Sequence, residues 1–321
     1  MMTMNSVLSK IKSAQKIALF THRNPDPDAY GAVFGLKEIL SDMGKTAEVF
    51  AVKNQPCNLD HIFPLDKLKT DFKVKDFDLS VILDLNSTGM IADCFVSELE
   101  KCKNIIIIDH HELKDEKRLT EKIFLKPNYA ATCEIITEFA HKNKLKINPD
   151  AATFLYAGLM GDTDRFLHGN LSKNVFEMAL ILQENKAKIQ FVYDYLYRFK
   201  SKKYLMVFKD LIDRLTYLEN DRAVFAIYSQ KTIKKLGVTT EDIKAFANNL
   251  VQIENVEVSF LCIEYDGYFK MSVRSRRGQI LNLATKMGGG GHNCAAGFEL
   301  KTTEKALKKL LPQWIREIFH G

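Results

Sequence analysis

The chain has one tryptophan, seven prolines and six cysteines among 321 residues, and each scarcity excludes something. Cys57, Cys94, Cys102, Cys133, Cys262 and Cys294 include no C-x-x-C pair. That spacing argues against a disulfide framework and against a structural zinc site, and the cysteines are expected as small buried hydrophobes. Long apolar runs are also missing. The isoleucines at 105–108 already form one of the longer ones, so nothing can span a bilayer and no membrane partner is expected. Lysines interrupt the N-terminal "MMTMNSVLSKIKSAQKIALFTH", which therefore lacks the apolar core of a signal peptide. A cytoplasmic location is expected. Finally, the first 200 residues lack any charge imbalance, with 27 Lys+Arg against 27 Asp+Glu, whereas residues 201–321 carry 19 against 13. The whole net charge of +6 lies there, which suggests an anionic ligand for the second half.

What is present fits two domains with real cores. Hydrophobic residues make up 46% and charged residues 27%, ordinary for a globular chain, and the length exceeds one compact core. In the first half, strand-like runs alternate with helix-like ones. "KIALFTH" (16–22), "AEVFAV" (47–52), "LSVILDL" (79–85) and "NIIIIDH" (104–110) read as strands. "AYGAVFGLKEILSDMG" (29–44), "ATCEIITEFAHKNK" (131–144) and "PDAATFLYAGLMGD" (149–162) read as helices. Unbroken Val/Ile/Leu runs predict strands buried on both faces of a parallel sheet, hence a doubly wound α/β domain. From about 172 to 215 the pattern is all helix. Strands then return at 222–229, 256–267 and 268–276, the last two joined by a D-G turn. The expected organisation is an α/β domain over 1–187, a helical linker over 188–210, and a smaller α+β domain with a mixed sheet over 211–321. The closing amphipathic helix is expected to bend or break at Pro312 and to pack Trp314 on the second sheet.

The stretch "IIIIDHH" drives an apolar strand into an acid and two histidines. Other strands and helices end the same way: His22 after "IALFT", Asp26 and Asp28 in the turn "HRNPDPDAYG", Asp84 after "LSVIL", Asp109, His110 and His111 after the isoleucines, and Asp162 after "LYAGLMG". In an open α/β sheet, ligands bind beyond the carboxyl ends of the strands. Each residue has an ordinary reading: Asp28 as a helix cap, Asp26 as a turn residue, His22 as a packed histidine. Together they do not, because several carboxylates sharing one edge repel without cations. Divalent ions remove that repulsion. Oxygen-rich ligation with some imidazole suits Mn2+ or Mg2+ better than zinc, and paired ions are the usual apparatus for hydrolysing phosphate esters.

In the basic half, "GGGGH" (288–292) puts successive side-chain-free amides next to His292, a way to approach a phosphate or ribose closely. Arg274 and Arg276 alternate along a strand with Ser275 between them, so both guanidinium groups share one face. Tyr265, Tyr268 and Phe269 are candidates for base stacking, with core packing equally open.

The motifs "HRNPDPDAYG", "DLN", "DHH" and "GDTDRF", in that order, resemble the DHH phosphoesterase superfamily, and "VRSRRGQILNLATKMGGGGHNCAAGF" resembles its DHH-associated domain. Together they span nearly the whole chain. The resemblance implies His22, Asp26 and Asp84 on one metal ion. It implies Asp28, Asp84, His110 and Asp162 on a second, with Asp84 bridging. His111 would face the reacting phosphate as hydrogen-bond donor or general acid, and Asp109 would orient the histidines. Arg274, Ser275, Arg276, Gly289, Gly290, Gly291 and His292 would hold substrate. The cofactor implied is a pair of Mn2+ ions, with Mg2+ or Co2+ as substitutes. The substrates implied are short single-stranded RNA and other oligonucleotides, dinucleotides such as pApA, and 3′-phosphoadenosine 5′-phosphate (pAp); a homodimer is compatible with the sequence. Alternatives are a pyrophosphatase or exopolyphosphatase, against which the "GGGGH" ending argues, and a nucleotide sensor without turnover. Two departures stand out. Asp164 replaces the glycine of the common D-T-G-R-F, and "STGMIADC" after "DLN" supplies no arginine.

Overall fold

The computed structural model describes residues 1–52, 59–113 and 117–320. The chain divides into two compact units, Met1–Phe199 and Lys200–Gly321. The first begins with helix α1 (Met4–Ser13), whose Thr3 and Ser6 exchange the hydrogen bonds of a capping box. There follow β1 (Lys16–Phe20), α2 (Pro27–Asp42), β2 (Thr46–Phe50), β3 (Leu79–Leu83), α3 (Asp93–Leu99), β4 (Ile105–Asp109), β5 (Ile123–Leu125), α4 (Thr132–Lys142), α5 (Pro149–Asp162), α6 (Lys173–Glu184) and α7 (Ile189–Tyr193), which continues as a π-turn over Asp194–Arg198.

The sheet order is β2-β1-β3-β4-β5, and every pair is parallel. Burial on both faces explains the unbroken isoleucines. Ile106 and Ile108 pack with the residues of α2, α4 and α5, while Ile105 and Ile107 pack with Phe20, Phe72 and Phe95 on the other face. Each such fully buried side chain contributes ~1.5–3 kcal/mol, so Ile106→Asp would break the strand that carries the site. Between β1 and β3 the strand order reverses direction, and such a switch opens a crevice at the strands' carboxyl ends.

The second unit holds α8 (Lys202–Arg214), β6 (Thr216–Leu218), β7 (Ala223–Tyr228), α9 (Gln230–Leu236), α10 (Thr240–Lys244), α11 (Ala247–Leu250), β8 (Val258–Tyr265), β9 (Tyr268–Ser275), α12 (Ile280–Lys286), β10 (Gly290–His292), β11 (Ala295–Leu300) and α13 (Glu304–His320). Its sheet, ordered β10-β11-β9-β8-β7-β6, is mixed: β7 and β8 run parallel and the other pairs antiparallel. Tyr265 pairs with Tyr268, so Asp266-Gly267 forms the two-residue turn.

Several expectations change. Helix α13 continues through Pro312 rather than breaking there; Trp314 packs edge-on against Phe298 in the sheet core, as expected. Phe269 is fully buried in that core and is no stacking platform. Cys133 and Cys262 are buried, but Cys94 and Cys294 are exposed; Cys57 lies outside the described residues. The short strands β5, β6, β10 and β11 were not anticipated, nor were α3 and α9 to α11. Among the described residues no helix is long and apolar enough to cross a membrane.

Candidate metal centre

Four backbone segments deliver the site. His22 follows β1, and Asp84 follows β3 on the other side of the strand-order switch. His22 Nε2 lies 3.6 Å from Asp84 Oδ2 and 4.0 Å from Asp26 Oδ2. His110, just past β4, places Nε2 3.5 Å from Asp84 Oδ1 and 3.2 Å from Asp162 Oδ2. Asp84 thus turns one oxygen to each histidine. Its own backbone is left-handed, with φ of 65°, a conformation costing about 1–2 kcal/mol that aspartate tolerates better than most residues.

Helix α2 supplies two carboxylates. Asp26 is its N-cap, Oδ1 accepting from the Ala29 amide at 2.9 Å, and Pro27 takes the first helical position, where its missing N–H is harmless. The cap is therefore Asp26, not Asp28. Asp28 points inward and is fully buried; its oxygens accept from the amides of Thr132 and Cys133 at 2.7 and 2.9 Å, at the start of α4. Helix α5 brings Asp162 on its last turn. The crossing of α2 and α5 is close because α5 carries Gly158 there: a Cβ at that position would sit 2.8 Å from Asp28 Oδ1 and 2.3 Å from the Cys133 sulfur.

These side chains form groups in which every donor atom lies within 4.8 Å of the others: His22, Asp26 and Asp84; Asp28, His110 and Asp162; and Asp84, His110 and His111. The carboxylates crowd one another. Burial, reinforced by Asp162, lifts Asp28 to about 7. Burial and then Asp28 push Asp84 well above the ordinary carboxylate range. Asp26 is raised by partial burial and by Asp162. Its side chain is 49% exposed, so solvent screening reduces that effect most. Burial lowers His22. Burial also acts against protonation of His110, but the neighbouring carboxylates of Asp162 and Asp28 overcome it and lift the ring to about 9.

The residues fit divalent cations. His110 Nε2 is buried and makes no hydrogen bond: the Asp162 oxygen at 3.2 Å is near but poorly aligned. Its other nitrogen, Nδ1, lies 3.2 Å from the Tyr129 carbonyl, which fixes the ring and leaves Nε2 free as a ligand, the usual second contact of a metal-binding histidine. Asp109 orients only one of the two histidines. Its Oδ1 lies 2.8 Å from His111 Nδ1, and Asn86 donates to its Oδ2. Thr132 adds a hydroxyl donor to Asp84 Oδ1 at 3.0 Å. Thr132 and Tyr129 were missed in the sequence, because only the tertiary fold brings them to the acids; Asn86 closes the motif "DLN" but was given no role there.

Asp162 is followed by three successive left-handed residues, Asp164, Arg165 and Phe166, with φ of 40°, 66° and 60°. That geometry accounts for the glycine common at position 164. Asp164 directs its carboxylate to Arg165 Nε at 3.0 Å, and the guanidinium lies over the Tyr197 ring.

The second group of candidates lies in the other unit. Arg274 pairs with Ala295 and Ala295 with His292, so Arg274 and His292 share a row and a face of the sheet. One row along, Ser272 pairs with Gly297, which pairs with Gly290. Ser272 is thus on the face of Arg274, and the alternation that groups the arginines could have found it. The same alternation turns Ser275 to the opposite face, where it is buried and donates to the Gly278 carbonyl at 2.8 Å. Both arginines bend toward one segment: Arg274 to Asn248 at 2.6 Å, Arg276 to the carbonyls of Val251 and Ile253 at 2.8 and 2.9 Å. Within the glycine run, a Cβ at Gly289 would lie 2.1 Å from the Gly297 carbonyl and one at Gly291 2.4 Å from the Ala295 carbonyl, whereas Gly290 faces open space.

A doubly wound parallel sheet whose switch point gathers aspartates and histidines, on a chain that also carries a mixed-sheet unit with a glycine run, defines a DHH-type architecture. Residues 16–159 match the DHH family, N-terminal domain, and residues 223–319 match the DHHA1 domain; the chain belongs to the DHH family. It is similar to the bifunctional oligoribonuclease and PAP phosphatase NrnA of Mycoplasma genitalium, 29% identical over 99% of each chain. It is also similar to the probable bifunctional oligoribonuclease and PAP phosphatase NrnA of Streptococcus mutans, 31% identical over 92% of this chain and 93% of that one. Its fold resembles the crystal structure of an exopolyphosphatase-related protein from Bacteroides fragilis, with a TM-score of 0.84 at 21% identity, covering 98% of this chain and 95% of the other.

Proposed function

We propose that this protein hydrolyses phosphate esters with two divalent cations, acting on short single-stranded oligoribonucleotides, on dinucleotides such as pApA and on the 3′-phosphate of pAp. The observation that carries this reading is Asp84, whose two oxygens face His22 and His110 separately. His22, Asp26 and Asp84 would hold one cation; Asp28, Asp84, His110 and Asp162 would hold the other. Cations bound there supply charge neutralisation of the phosphoryl group and acidify a water molecule at neutral pH. Mn2+ suits the mixed carboxylate and imidazole donors, with Mg2+ or Co2+ as substitutes in the same set.

The chain's own groups do the rest. His111 is 49% exposed while Asp109 beside it is fully buried. A buried carboxylate on Nδ1 leaves the outward Nε2 to give a proton to the departing oxygen. In this reading residues 1–187 are the catalytic domain, 188–210 the linker and 211–321 the substrate domain. Arg274, Gly290 and His292 contact the nucleotide, on the same open face as Ser272. Ser275, Arg276, Gly289 and Gly291 shape the loop and strand end that present them. The relatives' printed activities, oligoribonuclease and PAP phosphatase, support the substrate class.

The test uses the full chain with Mn2+. An end-labelled RNA trimer should yield mononucleotides, and pAp should release phosphate. Cleavage of pyrophosphate alone, or tight nucleotide binding without products, would replace this reading with a pyrophosphatase or a sensor.

A further inference from the structure

We infer that Asn86 is a positioning residue that fixes His111 as the proton donor, acting through Asp109; the inference rests on the hydrolytic function proposed above. Asn86 lies two residues beyond Asp84 and is 5% exposed. Its Nδ2 donates to Asp109 Oδ2 at 2.6 Å and to the Glu112 carbonyl at 3.2 Å. Asp109 divides its two oxygens accordingly. Oδ2 takes Asn86, and Oδ1 takes the His111 amide at 3.2 Å and faces its Nδ1 at 2.8 Å. One side-chain amide therefore ties down both flanks of the His110–His111 pair, through the carboxylate of residue 109 before it and the backbone carbonyl of residue 112 after it.

The arrangement determines which way the imidazole faces. Asp109 is fully buried, so its carboxylate needs a donor on each oxygen. With Asn86 on Oδ2, the carboxylate cannot swing away from Nδ1 without leaving a buried oxygen unpaired. Nδ1 then keeps its proton toward Asp109, and the proton for transfer sits on Nε2 of the half-exposed ring. In the step itself, the oxygen of water, which gives up one proton to bulk solvent, bonds to phosphorus as the bond from phosphorus to the leaving oxygen breaks. The electron pair of that bond stays on the leaving oxygen, which takes the Nε2 proton of the imidazolium. The neutral ring that remains keeps Nδ1–H bonded to Asp109. A neutral donor is needed at 86, because a carboxylate there would set two anions against each other.

Loss of a positioned proton donor matters in proportion to how badly the leaving group needs the proton. The experiment compares two esters on the Mn2+-loaded full chain: a dinucleotide, whose departing ribose hydroxyl needs protonation, and the p-nitrophenyl ester of a nucleoside 5′-phosphate, whose phenolate does not. General-acid catalysis supplies typically 10²–10⁴-fold, so Asn86→Ala should lower kcat on the dinucleotide about 100-fold or more and on the nitrophenyl ester less than about tenfold. His111→Ala should show the same split. Asn86→Ser, a second small polar replacement, should show it in milder form and serves if alanine impairs folding. Equal losses on the two esters, or no loss on either, would overturn the role of Asn86 while leaving the hydrolytic function standing. A wild-type chain that cleaves neither ester would instead overturn the hydrolytic function and this inference with it.

Discussion

The Thr132 hydroxyl donates to Asp84 Oδ1 at 3.0 Å while its amide donates to Asp28 Oδ2 at 2.7 Å. One residue at the start of α4 thus steadies two of the carboxylates assigned to the cations. Outer partners of this kind commonly change metal affinity by 10–100-fold. Thr132→Val keeps the shape and the amide but removes the hydroxyl. Titration calorimetry should show Mn2+ affinity weakened about tenfold or more, with the circular dichroism spectrum unchanged. Wild-type affinity in the variant would remove Thr132 from the site.

The crowding of acids has a consequence for stability. Burial, and after it the charges of Asp28, Asp26 and Asp162, raise the Asp84 carboxyl well above the usual range. Asp84→Asn should relieve that repulsion. The metal-free melting temperature should rise by about 2–4 °C, the shift that 1 kcal/mol produces in a domain of this size, while the gain on adding Mn2+ and the turnover are both lost. A variant that keeps its Mn2+-dependent gain would defeat the shared-ligand role.

The same groups set a pH dependence. Asp28 has a folded-state value of about 7 against an ordinary 3.8. A folded value above the unfolded one favours the fold below the unfolded value, and the contribution is lost as pH rises through the folded one. Asp84 acts in the same sense, and His110, lifted to about 9, does so at higher pH; His22, lowered by burial, acts in the opposite sense. Metal-free protein should therefore lose stability to this site between about pH 4 and 7. The loss reads as a difference from Asp28→Asn, whose melting temperature should vary less over that window. Mn2+ binding at pH 7 should release protons, seen as a calorimetric enthalpy that changes with the buffer's ionisation enthalpy. A buffer-independent enthalpy would count against protonated ligands.

Much of the architecture and of the acidic site was legible because strand tips are set by short-range pattern. The isoleucines of β4 could be buried on both faces only in a covered parallel sheet, and that placed His110 and His111 at its end. What was not legible depends on partners far along the chain. Asp28 meets α4 amides 104 and 105 residues away, and no local signal records that. Other errors were avoidable. Pro27 at the first helical position already marks Asp26 as the cap, and period-two alternation puts Ser272, not Ser275, beside Arg274. Three-residue strands such as β5 and β10 carry too few residues for any period to emerge.

The glycine run separates fold from binding. Gly289 and Gly291 have backbone carbonyls 2.1 and 2.4 Å from where a Cβ would be, and Gly291 has φ of 138°, a region that other residues rarely adopt. Gly289→Ala and Gly291→Ala should each destabilise the protein by about 2 kcal/mol or more, through overpacking and, at 291, backbone strain. Gly290 has open space on its side-chain face. Gly290→Ala should leave the melting temperature unchanged within about 1 °C, as surface substitutions usually do, and should raise KM for a dinucleotide by about tenfold, equivalent to losing 1.4 kcal/mol of binding. Arg276→Ala should mix the two effects, because its guanidinium holds the Val251 and Ile253 carbonyls. Arg274→Ala should act chiefly on KM. If Gly290→Ala binds and turns over the dinucleotide like wild type, the open glycine is not where substrate approaches, and the binding surface must lie elsewhere on this unit.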